Sequence, residues 1–151
     1  MRFRAYFKWP ATVPGSFRQS RSGTSAVEFA IVSPLFLLFL LGLLAYGIYF
    51  GASHSVQQIA ADAARTAIAG LNETERNKLA SDYIRLNAAG YPFVDPGKLT
   101  VDARDSSADG DQFVITISYD ASDLPIWNLL RDLPLPAQTI HRRSTIRVGG
   151  I

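Results

Sequence analysis

From Phe29 to Phe50 the chain is apolar or glycine and proline at every position except Ser33, Tyr46 and Tyr49, and no charged residue occurs from Phe29 to Ala61. An α-helix rises about 1.5 Å per residue, so about 20 residues cross a hydrocarbon core of about 30 Å. Ala30 to Phe50 meets that need. The core helix of a soluble domain carries a polar stripe. This run lacks one, and it predicts a transmembrane helix. Pro34 falls inside the pattern, where it removes a backbone donor and bends the helix near its start. Neighbouring helices let a span tolerate that loss.

The helical pattern continues past the span. Val56, Ile59, Ala60, Ala63, Ala67 and Ile68 recur at spacings of three and four, one face of an amphipathic helix. The alanine-rich part of this stripe is expected to pack on the chain's own sheet. The helix is expected to start near Thr24, with Thr24 or Ser25 as cap. Glu28 then lies at or just past the first turn, where the helix dipole favours an anion. Unbroken to Ala69, the helix would be about 70 Å long. Gly70 ends it.

Asn72-Glu73-Thr74-Glu75 reads as a capping box, with Asn72 as cap and Glu75 reaching back. A second helix follows from Glu73 to Ala88, with Leu79, Tyr83, Ile84 and Leu86 facing inward, and Gly90 and Pro92 stop it. The period then changes to two. Leu99, Val101 and Ala103 alternate with polar residues, as do Phe113, Ile115, Ile117 and Tyr119, and Asp109-Gly110 between them is a turn signal. These form a β-hairpin. Asp123 to Leu130 reads as a short helix or turn. A last strand runs from Thr139 to Val148, with Ile140, Ile146 and Val148 on one face and His141, Arg143, Thr145 and Arg147 on the other. The sum is an α+β chain: a long N-terminal transmembrane helix continuing into a small domain with a second helix and a three-stranded antiparallel sheet.

Charge sets an expected orientation. Arg2, Arg4, Lys8, Arg18 and Arg21 precede the span, and no acid does before Glu28. Basic flanks stay cytoplasmic, so residues beyond about 52 lie outside the inner membrane. The formal net charge of +2 comes from this leader, not from a nucleic-acid patch. The 151-residue chain has no cysteine, so its exported domain rests on packing alone. A secretory signal is the competing interpretation, since a basic region and an apolar run lead to Gly51-Ala52-Ser53. The run is longer than a signal core and continues into a helical segment, which favours a permanent span.

Glu28 at the lip of a span is costly without a partner and is therefore a candidate functional residue. It lies five residues after Gly23, whose missing Cβ allows close approach of a protease. The string Gly23-Thr24-Ser25-Ala26-Val27-Glu28-Phe29, followed by an apolar span, resembles the processing site of Flp-type prepilins. With Asp62-Ala63-Ala64-Arg65-Thr66-Ala67 and a compact tail, the chain resembles TadE-like minor pilins (pseudopilins) of tight-adherence pili; TadF-like chains share the plan. The resemblance implies cleavage between Gly23 and Thr24 by a membrane prepilin peptidase. It also implies that Glu28 and Phe29 belong to the prepilin motif, with Glu28 meeting the free N-terminus of a neighbouring subunit. The implied partners are that peptidase, the major Flp pilin, other minor pilins and the inner-membrane pilus platform.

The implied organisation is a cleaved cytoplasmic leader (1–23), a transmembrane helix (24–51) and a periplasmic domain (52–151). The alternative is an uncleaved, bitopic periplasmic adaptor of an envelope complex. Gly47 and Gly51 match the small-xxx-small helix-packing pattern, and Pro34 is a further candidate for helix packing, with a simple bend as its blander reading. Blander readings accompany these: Glu28 as a first-turn acid only, and Gly23 as a linker residue. His54 and His141 are expected to be solvated, Trp127 to be core, Arg142-Arg143 an exposed strand end, and Asp102, Asp105, Asp109 and Asp111 a solvated turn lacking a calcium loop's spacing. No nucleophile with its base, phosphate loop, metal set or cofactor motif is visible, so catalysis is not expected.

Overall fold

The computed structural model describes residues 21–108, 110–129 and 135–148. Most of the basic leader, Asp109 of the expected turn and Leu130 lie outside them. Helix α1 runs Arg21–Ala67 and α2 runs Glu73–Asn87. Two single 3-10 turns, Ala88–Gly90 and Pro96–Lys98, lead into strand β1, Leu99–Asp105. Strand β2 is Gln112–Asp120, α3 is Ile126–Leu129, and β3 is Thr139–Arg147. The sheet is antiparallel in the order β1-β2-β3, and the fold is α+β.

By contacts the chain divides into two compact units, Met1–Leu38 and Phe39–Ile151. In the first, the described residues are helical, and the large apolar side chains from Val27 to Leu38 are all exposed, Phe29 at 73%. Such a surface is stable when the surrounding medium is itself apolar. Among the described residues α1 is the one helix long and apolar enough to serve as a single-pass membrane anchor.

The second unit holds the core. Val56, Ile59, Ala60, Ala63, Ala64 and Ala67 on α1 are fully buried in one cluster with Phe113, Ile115 and Ile117 of β2. The expectation that the alanine stripe packs on the chain's own sheet is met. Alanine's small side chain lets helix backbone come close to sheet, while each fully buried branched residue contributes about 1.5–3 kcal/mol. The hairpin register pairs Val101 with Ile117 and Ala103 with Ile115, so the alternating apolar positions share one face. Edge strand β1 is capped from α2: Asn77 donates to the Ala103 carbonyl at 2.6 Å, and Glu73 accepts from the Asp105 amide at 3.3 Å. Those side chains occupy edge groups that would otherwise invite another strand.

Several expectations are corrected. Helix α1 already includes Arg21, so Thr24 and Ser25 lie inside it and neither is its N-cap, and Glu28 is past the first turn of the described helix. Gly23 alone does not stop a helix whose flanking residues accept helical geometry. Ile68 is exposed because α1 stops at Ala67 and the helical period no longer applies. Leu86 is 69% exposed. The inner line of α2 is Arg76, Ala80 and Ile84, continued by Ala88, and Leu86 stands about 200° round from Ile84. Asn72 does cap α2, accepting from the Glu75 amide at 2.9 Å. Glu75 reaches back one residue further than a capping box requires, to the Leu71 amide.

Candidate processing site and the helix surface

Gly23, Thr24, Val27, Glu28 and Ile31 share one open face of α1. Thr24 and Glu28 are four residues apart, one turn, and therefore on the same side of the helix. Glu28 is exposed, and among the described residues it makes no salt bridge. Phe29 stands bare beside it. The Gly23–Thr24 peptide is helical here. A protease reads extended backbone, so cutting at this bond requires the start of α1 to unwind. Glycine eases that, since it favours the helix less than alanine by about 1 kcal/mol. Pro34 lies about three turns on, inside the helix and exposed.

The two glycines expected on a packing surface differ. A Cβ at Gly47 would meet nothing within 4 Å. A Cβ at Gly51 would come within 2.7 Å of the Phe93 ring, so Gly51 makes room for the chain's own loop. Phe93 takes φ of 62°, the left-handed region that a bulky residue rarely adopts. Tyr119 holds it there: its hydroxyl lies 3.4 Å from the Phe93 carbonyl and 3.4 Å from the Asp95 amide.

Residues 23–65 match the family model described as TadE-like protein. Over that stretch the chain is similar to TadE-like proteins. No curated protein matches the chain, and no solved structure does. The TadE-like segment begins on Gly23 and contains Glu28, Phe29, Pro34, Gly47 and Gly51.

Its last residues form a polar lock that sequence reasoning missed. Asp62 accepts from Arg65 at 2.8 Å through one oxygen and from the Tyr91 hydroxyl at 2.8 Å through the other. The Tyr83 hydroxyl lies 2.8 Å from that of Tyr91, so with Tyr91 donating to Asp62, Tyr83 donates to Tyr91. Desolvation, first, and the bonds to Tyr83 and Asp62 push the Tyr91 phenol well above the ordinary tyrosine range. The Arg65 contact was readable at spacing i, i+3. The tyrosines were not, because Tyr91 is 29 positions away.

The acid-rich hairpin tip is also corrected in part. Asp105 is no solvated turn residue: Arg76 grips both its oxygens, at 2.9 and 2.7 Å. Arg76 is buried, lies 5.7 Å from the Phe113 ring centre and donates to the Gly70 carbonyl. Among the described residues no His, Cys, Asp or Glu group is arranged to hold a metal ion. His54 and His141 are exposed, with Gln58 and Ser118 as neighbours at 3.1 and 2.8 Å. Trp127 is half-buried and donates to the Ala121 carbonyl at 2.6 Å. Arg142 is half-buried and bonded to Ser53 of α1, whereas Arg143 is exposed as expected.

Proposed function

We propose that this protein is a minor pilin, or pseudopilin, that assists initiation or assembly of a tight-adherence pilus after cleavage by a prepilin peptidase. The observation that carries the proposal is the TadE-like match beginning on Gly23, the residue that would end the leader. Residues 24–51 would span the inner membrane and 52–151 would lie in the periplasm, the basic leader keeping the N-terminus cytoplasmic. The function needs no catalysis by this chain.

Cleavage would change the electrostatics of the helix start. In the uncut chain Glu28 sits past the first turn of α1. With Thr24 as the first residue, Glu28 becomes the fifth, and its carboxylate lies about one turn from a new ammonium. Filament packing would bring the ammonium of another subunit to the same depth. Desolvation cancels much of the gross attraction of such a pair. Its main effect is on register: subunits stack at the offset that leaves no Glu28 unpaired in lipid. The major Flp pilin, other minor pilins and the inner-membrane platform are the partners this reading requires.

Intact-mass measurement on protein from cells that contain the matching peptidase tests it. The mature chain should begin at Thr24, and Gly23→Leu should hold the mass at full length and abolish piliation. Full-length protein that still supports piliation would exclude the processed pilin and favour an uncleaved envelope adaptor.

A further inference from the structure

The globular unit meets the helix at a level that belongs to the membrane. Twenty residues counted from Phe29 reach Ile48, where a span of about 30 Å ends. Packing inside the second unit starts before that point. Ala45 is fully buried against a cluster that includes Ile126, Leu124 and Trp127. On another part of the helix surface Leu40, Leu43, Leu44, Gly47 and Ile48 line an open apolar groove together with Phe93. That ring is 53% exposed although its strained backbone is held in place by Tyr119. A strained residue that presents an apolar ring outward is the pattern of a functional contact. The groove is continuous with the bare aliphatic surface of the span, where Leu43 is 64% and Leu44 59% exposed. Tyr46, Tyr49 and Trp127 cluster at the same level, and such residues concentrate where lipid meets water.

We propose that the globular unit is seated in the lipid surface at the Ile48 end of the span, with Phe93 and the Leu124–Trp127 turn inserted among headgroups and upper acyl chains. Lipid is the occupant, because the groove opens from a helix surface that a membrane-spanning helix presents to lipid. This inference rests on the membrane anchor and not on a role in a pilus.

The chain has no cysteine, so single-cysteine labelling needs no background mutation. Phe93→Cys in the full chain, spin-labelled and reconstituted in phosphatidylcholine–phosphatidylglycerol nanodiscs, is compared with Leu71→Cys as the aqueous reference and Leu37→Cys as the lipid reference. Power saturation against oxygen and a nickel chelate should give the Phe93 site an oxygen-to-nickel ratio several-fold above that at Leu71. A ratio equal to that at Leu71 overturns the proposal. So does protection from both reagents, which would mean that protein covers the site. An aqueous reading at Leu37 overturns the anchor and the proposal together. A second measurement leaves Phe93 intact. In Trp9→Phe, Trp127 is the remaining tryptophan, and lipids brominated near the headgroup should quench it by at least a third. Quenching below a tenth would remove the turn from the membrane.

Discussion

At the scale of single residues, the side chains with most at stake are polar ones inside the globular unit. Arg76 neutralises Asp105, and truncating it strands a carboxylate that is 28% exposed. Because water still reaches Asp105, Arg76→Ala should cost about 2 kcal/mol, less than a fully buried pair. Chemical denaturation in micelles measures the loss, and Arg76→Lys should fall between, since lysine lacks the bidentate fork. Gly70→Ala is expected to cost about 1–3 kcal/mol, because the new Cβ would lie 2.6 Å from the Arg76 backbone nitrogen, which cannot swing aside. Tyr91 gives a pH dependence. The fold holds its phenol neutral, whereas the unfolded chain releases that proton near pH 10. Its contribution is complete below that pH and is lost as pH rises above it. Melting temperature should therefore fall more steeply above about pH 10 in the native chain than in Tyr91→Phe; equal slopes would refute the assignment.

At the scale of elements, α1 has two different surroundings along its length. Up to Leu44 its large side chains stand exposed, and from Ala45 one side is covered by the chain's own core. The alanine stripe is what allows the covered side to lie close to the sheet. Ala63→Leu should overpack that contact and lower stability by about 1–3 kcal/mol, read as a drop in denaturation midpoint. The same period that revealed the stripe misplaced Leu86 and Ile68. Leu86 carries the right chemistry at the wrong angle, and Ile68 lies beyond the helix end. Arg76 was missed for the opposite reason. A charged residue at an inward position is unreadable until the carboxylate that neutralises it is known, and Asp105 is 29 positions away.

At the scale of the whole molecule, the tight-adherence reading predicts that Glu28→Gln leaves cleavage intact but lowers piliation at least tenfold, measured by filament counts beside an intact-mass spectrum. A normal filament count would remove the ammonium–carboxylate pairing. The local pattern alone determined the anchor, the helix that follows it, the hairpin and the last strand, and the resemblance of the Gly23–Phe29 string to Flp-type prepilins supplied Gly23, Thr24, Glu28 and Phe29 as candidates. Periodicity and spacing are properties of neighbours in the chain, and the hydrophobic effect acts on them whatever the topology. Tertiary structure decided that Gly51 faces Phe93, that Asp62 closes on Tyr91 and Tyr83, and that Asp105 belongs to Arg76. Each of those joins groups far apart in sequence. Short-range pattern cannot specify which distant polar atoms will share a desolvated space, because that choice is made only when the sheet and both helices pack.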